Sequence, residues 1–167
     1  AIKQSHPDEV YNLAAQSFVG ASFEQPILTA DITGIGTLRV LDAVKENAPG
    51  AKFYKASSSE MFGDVKSYPQ NEKTIFSPQS PYASAKLYGF HLTKIYREGY
   101  GMFASNGILF NHESPLRGSN FVTNKVVKTA VQIKYGLKNE LLLGNLEATR
   151  DWGHAKDFVE AMWLILQ

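Results

Sequence analysis

A tyrosine and a lysine four residues apart, Tyr82 and Lys86, are the pair in this sequence with the clearest chemical potential. On a helix, residues at this spacing lie one above the other on the same face. An ammonium beside a phenol favours the phenolate, so it lowers the phenol pKa from its usual value of about 10. A phenol tuned in this way can accept a proton from a substrate hydroxyl near neutral pH. The chain has eight tyrosines, so the spacing alone is a weak signal.

The residues before this pair predict the start of a helix. Ser80 is a good N-cap, and Pro81 suits the first helical position because its missing N–H would have no partner there. We expect a second, apolar stripe on the same helix to face the core. That stripe consists of Ala85, Tyr88, Leu92, Ile95 and Tyr96.

A polar cluster follows the apolar run from Phe53 to Ser57, which has the composition of a strand. In an open parallel sheet, polar groups just past the carboxyl end of a strand line the ligand crevice. We therefore expect Ser58, Glu60 and Tyr82 to converge on one cleft, with Lys86 behind Tyr82. Together these four residues form a candidate acid–base site.

The elements that must position these residues alternate between strand and helix patterns. Strands are predicted at 10–15, 53–57, 102–110 and 141–143, and helices from Pro26 to Asn47, around Tyr82, at 121–135 and at 155–166. The helix beginning at Pro26 should bury Leu28, Ile32, Ile35, Leu38, Leu41 and Val44, and the helix at 121–135 should bury Val122, Val126, Ala130 and Ile133. This alternation is typical of an α/β protein with a Rossmann-like, doubly wound parallel sheet.

Composition excludes several classes of function. The 167 residues carry a net charge of +1 with interspersed signs, so we expect neither a nucleic-acid nor a membrane partner. Cysteine is absent, which excludes disulfides and thiolate catalysis. The four histidines, His6, His91, His112 and His154, lack the spacing of metal ligands, so we predict no metal site.

Two further motifs allow more than one interpretation. The glycines of Gly34-Ile35-Gly36 lie inside a helical pattern, so we interpret them as packing residues and not as a phosphate-binding loop. Arg150-Asp151-Trp152 follows a turn. The arginine could clamp a diphosphate while Trp152 covers a sugar or base. The alternative is an Arg150–Asp151 pair with Trp152 in the core, and the sequence favours neither.

Longer blocks resemble one known family. They are Asn12-Leu13-Ala14-Ala15-Gln16-Ser17, Ser57-Ser58-Ser59-Glu60, Tyr82-x-x-x-Lys86, Gly107-Ile108-Leu109-Phe110-Asn111-His112-Glu113-Ser114-Pro115 and Arg150-Asp151-Trp152-Gly153-His154-Ala155-Lys156-Asp157. Together they resemble the GDP-mannose 4,6-dehydratases, which are extended short-chain dehydrogenase/reductases. The resemblance covers nearly the whole chain, and its last two blocks are the most specific.

The resemblance implies an NADP-dependent carbon–oxygen lyase that converts GDP-mannose to GDP-4-keto-6-deoxymannose. Tyr82 would take the proton of the sugar C4 hydroxyl, and Lys86 would lower the Tyr82 pKa and hold the nicotinamide ribose. Glu60 would remove the C5 proton and help to expel the C6 hydroxyl as water. Ser58 would hydrogen-bond at O4. An epimerase needs no C5 base, so Glu60 disfavours that related activity.

The resemblance also implies binding residues and an organisation. Cofactor contacts map onto Leu13, Ala14, Ala15, Gln16, Ser17, Leu28, Tyr82, Lys86, His112 and Arg117. Substrate contacts map onto Ser17, Ser58, Glu60, Asn111, Val122, Lys125 and Arg150. Residues 1–112 would belong to the NADP-binding domain, and 113–167 would lead into the nucleotide-sugar-binding region. A cytoplasmic homo-oligomer, a dimer or tetramer acting in GDP-fucose biosynthesis, is expected.

Three departures from the family pattern modify these expectations. Ser58 stands where the family usually has Thr, and Asn124 stands where Arg is common. The family's Gly-rich first βαβ unit and the C-terminal part of its sugar-binding domain are absent, so we expect these 167 residues alone to be inactive and to bind NADP weakly. A related nucleotide-sugar dehydratase or epimerase, or a non-catalytic chain that retains the fold, remains an alternative.

Overall fold

A computed structural model describes residues 1–66 and 68–167 and has parallel strands joined through helices. Strands β1 (Glu9–Asn12), β2 (Lys52–Ser58) and β3 (Ala104–Leu109) form one parallel sheet in that order. Strands β4 (Asn111–Glu113) and β5 (Trp152–His154) form a second parallel pair. The helices are α1 (Ile2–Ser5), α2 (Val19–Glu24), α3 (Pro26–Thr29), α4 (Gly36–Asn47), α5 (Pro81–Tyr100), α6 (Val122–Lys134) and α7 (Ala155–Ile165). The predicted α/β class with parallel strands is confirmed.

The chain divides into two compact units. The first comprises Ala1–Leu109 with Ala161–Gln167, and the second comprises Phe110–Glu160. The boundary predicted after residue 112 concerns the domains of the family and stays a prediction. Across the described ranges, 1–66 and 68–167, no helix is long and apolar enough to cross a membrane.

Strand β2 is the centre of the first unit and is buried along nearly its whole length. Parallel strands covered on both faces are expected to be mainly apolar. Phe53 packs into the main cluster with residues of α4, α5, β3 and the segment just before β3, namely Leu41, Val44, Tyr96, Met102 and Ala104. The Tyr96 hydroxyl donates a hydrogen bond of 2.6 Å to Asp42 Oδ1, which ties α5 to α4. The helix that carries Tyr82 and Lys86 is thereby fixed against the sheet.

The long helical segment predicted from Pro26 is present, but near its start the face predicted to be buried is exposed. Pro26 begins α3 as predicted, and a π-helical stretch, Ala30–Ile35, joins α3 to α4. The predicted core residues Leu28, Ile32 and Ile35 are exposed, whereas Thr29, Thr33 and Thr37 are buried. Threonines can occupy the core face here because Thr29 and Thr37 donate their hydroxyl protons to carbonyls one turn earlier. Leu41 and Val44 are buried as predicted.

The apolar stripe predicted for α5 is confirmed in part. Ala85 and Tyr96 are buried and Leu92 packs against the core, whereas Tyr88 and Ile95 are 43% and 53% exposed. The buried residues also include Tyr82, Lys86, Gly89 and Thr93. The prediction was wrong for Tyr88 and Ile95 because it weighed only apolar side chains, whereas a glycine and a threonine allow the helix to lie close to the strand. Tyr82 and Lys86 therefore lie on the face that packs against the sheet.

Several boundaries also differ from the predictions. The first strand ends at Asn12, three residues early, and the third runs from Ala104 to Leu109. Leu141-Leu142-Leu143 is not a strand. The strand of this region is β5, whose partner is β4. Three consecutive leucines have the composition of a strand, but a strand also needs a neighbouring strand with which it can pair.

Helix α6 ends before Gly136, which adopts a left-handed conformation with φ of 68°. Its predicted apolar face is not buried, because Val122 and Ile133 are exposed and Thr129 is the buried residue. Gly34 lies in the π-helical stretch, where an added Cβ would approach a Tyr88 ring carbon of α5 to 3.3 Å. The interpretation of Gly34 as a packing residue is confirmed.

The close contact between β2 and β3 generates the first prediction. An alanine Cβ at Gly107 would overlap the Tyr54 hydroxyl. Gly107→Ala should therefore destabilise the fold by about 1–3 kcal/mol through overpacking. Chemical unfolding of the purified protein measures this change.

Gly99→Ala is the matched control, because Gly99 lies within α5 and an added Cβ would meet nothing within 4 Å. It should stabilise the helix by roughly 0.5–1 kcal/mol. Equal stability of the two variants would contradict the packing argument.

Candidate active site

The carboxyl end of β2 turns sharply at a serine. Ser58 ends the strand and is buried, and the short 3-10 turn Ser59–Met61 follows at once. Ser58 Oγ accepts a hydrogen bond of 3.2 Å from the Glu60 backbone N–H. This bond satisfies one orphan donor at the start of the turn. It presents Glu60 as an exposed residue two positions beyond the strand.

The amino end of α5 has the predicted cap. Ser80 Oγ accepts a hydrogen bond of 3.0 Å from the Ala83 backbone N–H, and Pro81 occupies the first position of the helix. Tyr82 and Lys86 then share the buried face of α5 and are 8% and 4% exposed. The cap and the helical spacing together fix where the phenol and the amine lie.

Lys86 connects the helix to the strand. Its Nζ donates a hydrogen bond of 2.8 Å to the carbonyl oxygen of Ala56, two residues before Ser58. The same Nζ lies 5.7 Å from the centroid of the Tyr82 ring. The structure therefore brings the Tyr82–Lys86 pair to the end of β2 that carries Ser58.

A second buried lysine, Lys55, lies beside this pair. Burial, followed by the charge of Lys86, lowers the pKa of Lys55 to about 7. Burial lowers the pKa of Lys86 to about 8, and a hydrogen bond with Lys55 opposes that shift. No role was predicted for Lys55 from the sequence. The signal in the sequence was a lysine in the middle of a predicted strand of a parallel sheet, because such strands are usually covered by helices on both faces.

The segment predicted to contact the cofactor, Leu13 to Ser17, follows β1 directly. The Gln16 backbone N–H donates to Thr33 Oγ1 at 3.1 Å, and the Gln16 side-chain amide donates to the Phe18 carbonyl at 3.0 Å. Two buried polar atoms here, Asn12 Nδ2 and Gln16 Oε1, have no hydrogen-bond partner within the described ranges. Leu28 is half-exposed on α3.

Two cofactor candidates, His112 and Arg117, belong to the second unit. His112 lies in β4, where its Nδ1 is 3.0 Å from the Phe110 carbonyl oxygen and its ring centroid is 5.0 Å from that of Phe158. Arg117 Nε lies 3.3 Å from Glu113 Oε2, and the guanidinium stacks 3.4 Å from the centroid of the Phe121 ring. Both side chains are already held by neighbours within this unit.

A cavity of about 680 Å³ in the second unit is lined by Glu113, Ser114, Pro115, Thr123, Asn124, Val127, Trp152, Gly153 and His154. The predicted substrate contacts Asn111, Val122, Lys125 and Arg150 are not among these residues. Lys125 lines a separate cavity of about 450 Å³. Asn111 Nδ2 donates to the Asp151 carbonyl at 3.2 Å, and Arg150 Nη1 donates to the Thr149 carbonyl at 2.7 Å.

The described part of the chain contradicts one of the two alternatives for Arg150-Asp151-Trp152. Trp152 is 46% exposed and lines the larger cavity, so the alternative with Trp152 in the core is wrong. Among residues 1–66 and 68–167, no three His, Asp or Glu side chains come together in a way that could hold a metal ion.

A parallel sheet with a buried Tyr-x-x-x-Lys pair at the end of its central strand defines a Rossmann-like α/β protein. Residues 1–167 match the sequence profile described as GDP-mannose 4,6 dehydratase, and the chain belongs to that family. It is 54% identical to the GDP-mannose 4,6-dehydratase of Yersinia enterocolitica and 55% identical to that of Homo sapiens. In each case the alignment covers 99% of this chain and 45% of the relative. The chain thus spans about half the length of the relatives it matches.

Solved structures have the same fold. RMD from Pseudomonas aeruginosa, complexed with NADPH, superposes with a TM-score of 0.90 at 30% identity over 97% of this chain and 57% of that one. The dTDP-glucose 4,6-dehydratase of Bacillus anthracis, in complex with NAD, has a TM-score of 0.85 at 27% identity, covering 99% of this chain and 49% of that one.

The two buried lysines generate a prediction on stability and pH. Their pKa values of about 7 and about 8 lie below the ordinary lysine value of 10.5. Above pH 7 the folded state releases protons that the unfolded state retains, so the free energy of unfolding should rise with pH. Between pH 7 and pH 9.5 we expect a gain on the order of a few kcal/mol, measured by denaturant unfolding.

Lys55→Met and Lys94→Met are the comparison variants. Lys55→Met should be more stable than wild type at pH 7 and should lose part of the rise in unfolding free energy with pH. Lys94 is exposed on α5, so its variant should keep the wild-type slope. A wild-type protein with no rise in stability over this pH range would contradict the burial of two titrating amines.

Proposed function

We propose that the complete protein containing this chain is a GDP-mannose 4,6-dehydratase. It would convert GDP-mannose to GDP-4-keto-6-deoxymannose and water, with no net oxidation or reduction. The observation that carries the proposal is the capped Tyr82–Lys86 pair held at the end of β2, in a chain of this family. We also expect a homo-oligomer, dimeric or tetrameric, in the cytoplasm.

NADP is the proposed cofactor. When bound, it would supply the acceptor for the hydride that leaves C4 of the sugar. The residues present fit a dinucleotide, because the carboxyl end of β1 carries buried polar atoms that lack a partner, Asn12 Nδ2 and Gln16 Oε1. Ligands bind at this end of the strands in open α/β sheets. The proposed contacts are Leu13, Ala14, Ala15, Gln16, Ser17, Leu28, Tyr82, Lys86, His112 and Arg117.

Tyr82 is the proposed base for the first proton. Its phenolate would take the proton of the C4 hydroxyl, and the adjacent Lys86 ammonium would stabilise that phenolate. One N–H of the Lys86 ammonium donates to the Ala56 carbonyl, and this bond fixes the directions of the two remaining N–H donors. Ser58, at the end of the strand, would hydrogen-bond to O4 of the sugar.

Glu60 is the proposed base for the second proton. Once C4 is a ketone, the C5 proton is acidic, and Glu60 would remove it and pass a proton to the C6 hydroxyl, which departs as water. The hydride taken from C4 would then return to C6, and a proton would return to C5, which completes the 4-keto-6-deoxy sugar. Glu60 is exposed on the turn after Ser58, so substrate can reach it. Asn111, Val122, Lys125, Arg150 and Ser17 are the proposed contacts to the rest of the nucleotide sugar.

Glu60→Gln separates the two proton transfers. A carboxamide cannot accept the C5 proton, but it leaves the Tyr82–Lys86 pair intact, so dehydration should slow roughly 10²- to 10⁴-fold more than C4 oxidation. The measurement is a single turnover of the complete protein with GDP-mannose. Absorbance reports NADP⁺ reduction, and chromatography reports the dehydrated product.

Tyr82→Phe is the comparison, because it removes the first base and should slow NADP⁺ reduction itself. Formation of dehydrated product by Glu60→Gln at the wild-type rate would show that another residue is the C5 base. UDP- and dTDP-sugars assayed in parallel test the related dehydratases. Turnover of one of these sugars, with none of GDP-mannose, would overturn the proposed substrate.

A further inference from the structure

Lys55 is a fully buried lysine at the middle of the central strand. It is 0% exposed, and its Nζ has no hydrogen-bond acceptor within the described ranges. A buried ammonium without an acceptor is strongly unfavourable, so an amine in such a place tends to lose its proton. Lys55 has no role in the proposed proton transfers.

The surroundings of Lys55 leave its amine few neighbours. In the sheet its register partners are Asn12 of β1 and Asn106 of β3, both neutral. Asn106 is already occupied, since it accepts from Ser57 Oγ and donates to the Phe90 carbonyl. Lys55 is therefore flanked by amides that carry no charge.

The helices that cover Lys55 supply one titratable group. An added Cβ at Gly89 of α5 would lie 3.2 Å from Lys55 Cε and 3.1 Å from Thr37 Oγ1 of α4, so both helices lie close to the lysine stem. Within the described ranges, the charge that acts on the Lys55 amine is that of Lys86 on α5. Lys55 Cε packs against Gly89, one helical turn from Lys86 on the buried side of α5, so the two amines lie close together.

Only one member of such a pair can be an ammonium that donates to the other. Lys86 has the Ala56 carbonyl as an acceptor at 2.8 Å, whereas Lys55 has none. The proton is therefore better placed on Lys86. Burial lowers the pKa of both amines, so this buried pair holds fewer protons near neutral pH than two exposed lysines would.

We propose that Lys55 is a positioning residue that acts through Lys86. As a neutral amine it accepts a hydrogen bond from the Lys86 ammonium, while the Ala56 carbonyl accepts a second. Two of the three ammonium donors are then fixed, and the third is left to serve Tyr82 and the ligand. The role rests on the proposed function, in which Lys86 assists Tyr82.

Protonation of Lys55 would remove this arrangement. A second ammonium can neither accept from Lys86 nor lie beside it without repulsion in a buried site. The orientation of Lys86 is then lost although its own chemistry is unchanged. The orientation of Lys86 toward Tyr82 therefore depends on the protonation of Lys55, and so on pH near neutrality.

The first test is a titration of the complete protein with lysine labelled with ¹³C at Cε, whose chemical shift follows the protonation of its amine. Lys55 should titrate near pH 7 and Lys86 near pH 8. In Lys55→Met the Lys86 midpoint should move to lower pH, because its acceptor is gone. A Lys55 midpoint above pH 9, or a Lys86 midpoint unmoved in Lys55→Met, would overturn the proposal.

The second test is kinetic. Lys55→Met should lower kcat roughly ten- to hundredfold with KM for GDP-mannose little changed, as expected when a catalytic group is imperfectly held. Lys52→Met is the matched control, since Lys52 belongs to the same strand but its Nζ lies over the Phe103 ring. It should leave kcat and both midpoints unchanged.

The two tests also separate this proposal from the proposed function. The wild-type titration decides the placement of the proton even if Lys55→Met fails to fold. Expected midpoints together with no turnover of GDP-mannose would contradict the proposed function and still support the Lys55–Lys86 pair.

Discussion

The close packing of α5 on β2 is the constraint on which the rest of the site depends. Lys86 reaches the Ala56 carbonyl only because the helix lies almost against the strand. Gly89 makes that approach possible, since a Cβ there would meet Lys55 and Thr37. The same proximity desolvates the amines of Lys55 and Lys86 and lowers their pKa values. Geometry and electrostatics at this site therefore have a single cause.

The parts of the site that depend on local chemistry could be predicted from sequence. Ser80 and Pro81 mark the start of α5 because an N-cap and a first-turn proline act within a few residues of themselves. The spacing of Tyr82 and Lys86 then determines their shared face without any knowledge of the fold. The alternation of strands and helices was sufficient for the α/β class in the same way.

The parts that depend on distant neighbours could not be predicted. The burial of Thr29, Thr33 and Thr37 in place of the nearby apolar residues reflects hydroxyl bonds and a π-helical stretch, which apolar periodicity does not register. The pairing of Lys55 with Lys86 joins residues on separate elements. Leu141-Leu142-Leu143 shows the same limit, since strand composition without a pairing partner does not make a strand.

Ser58 and Glu60 are held in one turn by a hydrogen bond between them. Because Ser58 Oγ accepts the Glu60 backbone N–H, its hydroxyl proton stays free, and the serine can meet a substrate oxygen as a donor. Replacing Ser58 would remove that donor and would also release the turn that presents the Glu60 carboxylate. Changes at these two positions should therefore be non-additive, because replacing Ser58 displaces the Glu60 carboxylate, although a Glu60 substitution leaves the backbone N–H in place. A double-mutant cycle across them would measure how strongly the position of the Glu60 carboxylate depends on Ser58.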